Sequence, residues 1–325
     1  MPPPTRIVML GTGDFALPTF VHLCETGHNV VALVTQPDRP QGRKQELIPS
    51  LIKRAAVERG IPVEQPEDVN APESLAMIKG YSPDLLVTAA YGQILSADLL
   101  SLPRLGGINL HGSILPSYRG AAPVARAIQH GDAESGVTVI RMTPRIDAGG
   151  MMAVARTPIG PDETAGELED RLAQLGAPLV AQAIVALETG TAQILPQEKS
   201  RVTKAPKLRK EDGLIDWSKS AQAIHNLVRA MQPWPVASTF WQRAARAPLR
   251  VIVHKTALAS GQGTPGTVLE AMADTLVVAA GEGAVRLLTV QVEGKKPMRA
   301  ADFLCGHHVV PGDKMGHVLS DSGGT

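Results

Sequence analysis

The 325-residue sequence predicts an α/β domain built on a parallel sheet, followed by a small antiparallel barrel. Three observations carry that reading. Continuous apolar strands alternate with helical segments through the first half, the pattern of a parallel sheet covered on both faces. Short runs separated by glycine turns fill the last third, as in small antiparallel barrels. The length exceeds what one small core organises and points to two domains.

Arg6-Ile7-Val8-Met9-Leu10 reads as a buried strand, and Gly11-Thr12-Gly13 as the turn after it. A helical stretch through Phe20, Leu23 and Cys24 ends at Gly27. Further strands are read over 30–35, 84–90, 107–111 and 136–141, with helical segments around 48–59, 71–79 and 121–130. Leu168, Leu172, Leu175, Leu179, Ala183 and Leu187 recur at helical spacing behind a cap at Thr164, and this helix closes the first domain, residues 1–197. Residues 198–213 then change character, with Lys199, Arg201, Lys204, Lys207, Arg209 and Lys210 around Pro206, and read as a basic linker. The second domain, 214–325, opens with a helix over 220–231. Short strands follow at 238–241, 249–253, 275–279 and 285–290, separated by turns such as Gly261-Gln262-Gly263 and Gly281-Glu282-Gly283.

Aromatic residues make up only 3% of the chain, so the cores must be built from Val, Leu, Ile and Ala. No apolar run approaches the roughly 18 residues that span a bilayer. The amino terminus lacks a signal-peptide layout. Cys24 and Cys305 lie far apart without metal-ligand spacing, so neither a disulfide framework nor a metal site is expected, and a reducing cytoplasm fits. The net charge of +1 hides an asymmetry: residues 1–200 hold 16 Lys+Arg against 21 Asp+Glu, and residues 201–325 hold 16 against 10. That division fits a polyanion held mainly by the second part, and is also compatible with ordinary variation in surface charge.

The most informative segment is Gly107-Ile108-Asn109-Leu110-His111-Gly112-Ser113-Ile114-Leu115-Pro116, with Tyr118-Arg119-Gly120-Ala121-Ala122-Pro123 after it. In an extended chain, Asn109 and His111 share a face. An amide donor beside an imidazole can polarise a carbonyl and move a proton. A single histidine is equally compatible with a structural role, but catalytic groups favour the carboxyl ends of parallel strands. Asp147, in Arg145-Ile146-Asp147-Ala148-Gly149-Gly150, reads either as a turn former or as the carboxylate that orients the imidazole. Together the three form a set suited to acyl transfer. Gly11-Thr12-Gly13-Asp14-Phe15-Ala16 nearly matches a dinucleotide-binding turn, yet the second strand ends in Thr35-Gln36-Pro37 with Asp38 beyond the proline, so a simple strand-to-helix turn is the better reading.

The ordered series 109–116, 118–123 and Asp147-Ala148-Gly149 resembles the 10-formyltetrahydrofolate-dependent formyltransferases. Further segments resemble the branch acting on methionyl-tRNA: Thr35 to Pro40 with Gly42-Arg43, Ala90 to Leu95, Ala205 to Leu208, Ile215 to Ser218, Pro233-Trp234-Pro235, and Glu293 to Met298. The resemblance implies a modified Rossmann-like domain, an oligonucleotide-binding (OB)-like barrel, and formyl transfer from 10-formyltetrahydrofolate to the α-amine of initiator methionyl-tRNA by a monomer. It implies Asn109, His111 and Asp147 as the catalytic trio. Folate would be contacted by Ser113, Ile114, Leu115 and Pro116, with backbone around Tyr91, Gly92, Gln93, Ile94 and Leu95. Arg43 would approach the acceptor end of the tRNA. Lys204, Lys207, Arg209, Lys210, Lys295 and Lys296 are candidates for phosphate contacts, each alternatively a solvated surface charge. Ser117, Gly150 and Glu46 depart from the residues frequent in the family. Formyl transfer to an amino sugar nucleotide or to glycinamide ribonucleotide, and a catalytically inactive RNA-binding protein, are the competing readings.

Overall fold

The computed structural model describes residues 3–41, 46–243 and 246–316. The chain divides into two compact units. The first holds the described residues up to Pro123 with Glu134–Pro158 and Glu167–Pro206; the second holds Val124–Ala133, Ile159–Gly166 and the described residues from Lys207.

The chain begins β1 (Arg6–Gly11), α1 (Leu17–Glu25), β2 (Asn29–Val34), a short pair β3 (Pro40–Gln41) and β4 (Glu46–Leu47), then α2 (Leu51–Glu58). Next come β5 (Val63–Glu64), α3 (Pro72–Gly80), β6 (Leu85–Ala89), α4 (Ala97–Ser101), β7 (Gly107–His111), β8 (Arg119–Gly120) and α5 (Pro123–His130). The series continues with β9 (Glu134–Arg141), β10 (Met151–Pro158), α6 (Ala165–Glu188) and β11 (Lys204–Ala205). The main sheet has the order β10-β9-β7-β6-β1-β2-β5. Its strands from β7 to β5 are parallel, as expected for β1, β2, β6 and β7; the two-residue β5 was not foreseen. The fifth expected strand, β9, is present but runs antiparallel to β7, and β10 extends the sheet antiparallel to β9. Burial explains both differences. Six consecutive residues of β9 are buried, so its sequence looks like a parallel strand whatever its direction. As an edge strand, β10 has no buried residue, its positions being half-exposed or exposed despite the apolar run 151–155, and it was not foreseen from the sequence.

Val8, Leu10, Ala32, Val34 and Leu86 pack with Val69, Ile78, Tyr91, Leu95 and Leu99 in one buried cluster. Gly11 is required at the first turn, because a Cβ there would lie 2.7 Å from the Ala16 Cβ. Asp38 pairs with Lys53 and accepts from Gln65 at 3.1 Å, so it pins the end of the second strand and offers nothing to a ribose.

The second unit carries α7 (Ala221–Ala230), β12 (Ala237–Gln242), β13 (Leu249–Ala259), β14 (Val268–Met272), β15 (Thr275–Ala279) and β16 (Ala284–Val292). The short β17 (Met298–Arg299), α8 (Ala300–Gly306) and β18 (Lys314–Gly316) complete it. The strand order is β14-β15-β16-β13-β12-β18, all neighbours antiparallel. A bridge between Thr267 and Lys314 joins the two ends and curls the sheet into the expected barrel form. Its core includes Trp217, Trp241, Val251, Val253, Leu287 and Phe303, and the Trp217 indole donates to Thr239 Oγ1 at 2.9 Å.

Candidate active site

β7 lies between β6 and β9, and the two-residue period of a strand puts Asn109 and His111 on one side of the sheet. Thr88 on β6 stands in register with Asn109, and its hydroxyl donates to Asn109 Oδ1 at 2.7 Å. That bond fixes the amide oxygen and so orients the amide group of the half-buried Asn109. His111 is 6% exposed and donates from Nε2 to the Tyr118 carbonyl at 2.9 Å. Because a carbonyl only accepts, Nε2 carries a proton and Nδ1 is the remaining ring nitrogen. Asp147 Oδ2 lies 3.6 Å from Nδ1, inside ion-pair range but too long for a direct hydrogen bond. His111 and Asp147 are thus brought together on the first unit, with Asn109 two residues earlier on β7.

The loop 118–121 holds both the imidazole and the carboxylate. Tyr118 supplies the carbonyl to His111, and Gly120 N donates to Asp147 Oδ2 at 2.8 Å. Three of these residues sit in left-handed backbone: Tyr118 at φ 62°, Gly120 at 124° and Asp147 at 47°. Such backbone persists where surrounding bonds over-determine it. Here they come from the segment after α6. Tyr118 N donates to Thr203 Oγ1 at 2.8 Å, Arg119 N to Thr203 O at 2.9 Å, and Ala121 N to Ala205 O at 2.8 Å. β11 accordingly pairs in parallel with β8. The amide of Gln197 donates to Asp147 O at 2.8 Å and Gly149 O at 2.7 Å, while its oxygen accepts from Arg119 Nε at 3.0 Å and Nη2 at 2.7 Å. The early part of the basic segment is therefore a strap across the loop 118–121.

Sequence reading did not single out Thr88, Gly120 or Gln197. Gly120 stands inside the quoted motif, where it could have been found; the other two act across long sequence separations and leave no local signal.

Among the expected folate contacts, the Ser113 side chain is buried and donates to Ser117 O at 2.7 Å, while Thr138 Oγ1 accepts from Leu115 N at 3.1 Å and donates to Ser113 O at 2.7 Å. Leu115 is buried, and Ile114 and Pro116 are half-buried. Tyr91 and Leu95 are buried, and burial pushes the Tyr91 phenol well up from its ordinary value. Gln93 Oε1 accepts from Val69 N at 2.9 Å, Ile94 is 59% exposed, and Gly92 adopts φ 90°. Both segments thus offer backbone groups and the side chains of Ile94, Ile114 and Pro116 more readily than the others.

Lys204, Lys207, Arg209, Lys210, Lys295 and Lys296 are all exposed, while Arg43 lies outside the described residues. Gly150 has a steric context: a Cβ there would lie 2.4 Å from Ile194 Cγ2. Among the described residues no group of three or more His, Cys, Asp or Glu could hold a metal, and no helix is long and apolar enough to cross a membrane.

Residues 5–184 match the formyl transferase family, and residues 207–308 match the formyl transferase C-terminal domain. A methionyl-tRNA formyltransferase of Pseudomonas syringae pv. tomato is 47% identical over 303 residues, 93% of this chain and 95% of the relative. That of Citrifermentans bemidjiense is 46% identical over 311 residues, 96% of each chain. Among solved structures, an N-formyltransferase from Helicobacter canadensis in complex with folinic acid and dTDP-3-aminofucose superposes with a TM-score of 0.64 at 17% identity, covering 88% of this chain and 99% of that one. HypX from Aquifex aeolicus in complex with tetrahydrofolic acid gives 0.62 at 17% identity, covering 93% and 47%. These two structural likenesses show the fold.

Proposed function

The chain belongs to the formyl transferase family, and on that premise we propose that it moves the formyl group of 10-formyltetrahydrofolate onto the α-amine of initiator methionyl-tRNA. The observation that carries the reading is the approach of Asp147 to His111 at the end of β7, 3.6 Å apart, with Asn109 two residues earlier on the same strand. Similarity at 46–47% over more than nine-tenths of the chain to enzymes named for methionyl-tRNA supports the acceptor, as do the exposed cations at 204–210 and 295–296.

The neutral amine attacks the formyl carbon and the carbonyl becomes an oxyanion. The N–H groups of Asn109 donate to that oxygen, worth about 3 kcal/mol for one such donor. His111, held through Nε2, can present only Nδ1 to the reacting atoms, with Asp147 Oδ2 3.6 Å from that nitrogen. Asp147 takes the proton leaving the amine, directly or through a water. Collapse of the tetrahedral intermediate breaks the bond to N10 of the folate, which recovers a proton as it leaves. An α-amine has a pKa of about 8, so positioning and oxyanion stabilisation matter more than a strong base.

The test offers radiolabelled 10-formyltetrahydrofolate with either charged initiator tRNA or a dTDP-linked amino sugar. Formylated methionyl-tRNA is expected. Label transferred only to the sugar would replace this reading with the amino sugar one, and label transferred to neither would favour an inactive RNA-binding protein. Binding of this chain to the cytoplasmic initiator tRNA as a monomer is part of the same proposal.

A further inference from the structure

We infer that Gln197 is a positioning residue for formyl transfer, acting on the catalytic carboxylate through the backbone that carries it. The inference rests on the proposed function and deepens it. All four hydrogen-bonding sites of the Gln197 amide are used, two N–H groups on the Asp147 and Gly149 carbonyls and both oxygen lone pairs on Arg119. Its two sets of partners belong to the two segments that form the site. Asp147 supplies the carboxylate from backbone at φ 47°, and Arg119 lies between the residue that holds His111 and the one that holds Asp147.

Left-handed backbone at an aspartate costs free energy that neighbouring bonds must offset. Gln197 binds the Asp147 carbonyl itself, while Gly120 binds its side chain, so a shift of the peptide would pull the carboxylate away from Gly120. Gln197 also sits near the start of the strap whose later residues bond Tyr118, Arg119 and Ala121. One amide therefore sets the spacing between the loop that ends in Asp147 and the loop that holds His111.

Gln197→Glu separates positioning from folding. A carboxylate of the same shape keeps the Arg119 contact as an ion pair but cannot donate, so two carbonyl oxygens face it without a proton between. Single-turnover formyl transfer to methionyl-tRNA should fall on the order of 10²-fold, the cost of a displacement near 1 Å at a reacting group. Affinity for 5-formyltetrahydrofolate should stay close to wild type, and the melting temperature should fall by only a few degrees, for the two hydrogen bonds lost. Because the effect passes through Asp147, the Gln197→Glu/Asp147→Asn double variant should be no slower than Asp147→Asn alone. A wild-type rate in Gln197→Glu, or losses that add in the double variant, would overturn the inference. A crystal structure of Gln197→Glu decides it independently of activity: Asp147 out of left-handed backbone with the Gly120 bond broken is expected, and an unmoved Asp147 overturns it. If the wild-type protein transfers no formyl group to methionyl-tRNA, the proposed function fails while the crystallographic test still stands.

Discussion

Gly120→Ala should disable the catalytic loop without touching a catalytic side chain. Gly120 has φ 124°, a region that L-residues enter at a cost of about 1–3 kcal/mol. The added Cβ would meet backbone only, at 2.5 Å from Ala205 O and 3.2 Å from Ala205 C. Restoring an ordinary 3.4 Å contact moves β8 about 0.9 Å from β11. The Ala121 N to Ala205 O bond, now 2.8 Å, then breaks, at about 1 kcal/mol. The summed destabilisation is about 2–4 kcal/mol, with formyl transfer reduced on the order of 10²-fold because Gly120 N also holds Asp147. Thermal melting and single-turnover transfer read the two effects. Gly27→Ala is the control: φ is 79° and nothing lies within 4 Å of the added Cβ, so only backbone strain of about 1–2 kcal/mol and an unchanged rate are expected. Wild-type stability and rate in Gly120→Ala would refute the reasoning.

Thr88→Val removes the hydroxyl that orients the Asn109 amide; formyl transfer should fall by about tenfold, equivalent to roughly 1.4 kcal/mol, and a rate equal to wild type would show that the amide needs no such guide. The hydrogen bond from Lys53 holds the Asp38 carboxyl below its ordinary 3.8, so the pair stabilises the fold above that pH and its contribution disappears as pH falls through the depressed value. Lys53→Met should therefore cost about 1–2 kcal/mol in urea unfolding at pH 7, with the gap from wild type closing toward pH 3. Charge reversal at Lys207 and Arg209 should weaken tRNA binding and lower the slope of log affinity against log salt by about 1.5, leaving folate binding intact; an unaltered slope would remove this segment from the tRNA contact.

The parts of the fold visible in sequence are those whose burial is continuous or periodic. β1, β2 and β6 announce themselves as apolar runs, and α6 by its leucine spacing. Strand direction leaves no such trace, so β9 looked parallel, and the two- or three-residue strands β17 and β18 carry too few residues for a period. The site divides in the same way. Asn109 and His111 were legible because a strand puts alternate residues on one face, and Asp147 because it stands just beyond a strand with Gly149 and Gly150 after it. Their supports were not, since Thr88 reaches Asn109 across 21 positions and Gln197 reaches Asp147 across 50. Lys204 shows the opposite limit. Its charge drew attention to a phosphate contact, whereas its backbone also belongs to the strap.

The account depends most directly on the Asn109 amide as an oxyanion donor. Asn109→Asp keeps the size of the side chain and an oxygen for Thr88, but removes the N–H groups. Single-turnover transfer from 10-formyltetrahydrofolate to initiator methionyl-tRNA should fall about 10²–10³-fold while 5-formyltetrahydrofolate still binds. Transfer at the wild-type rate would contradict the assignment of this end of β7 as the reaction centre.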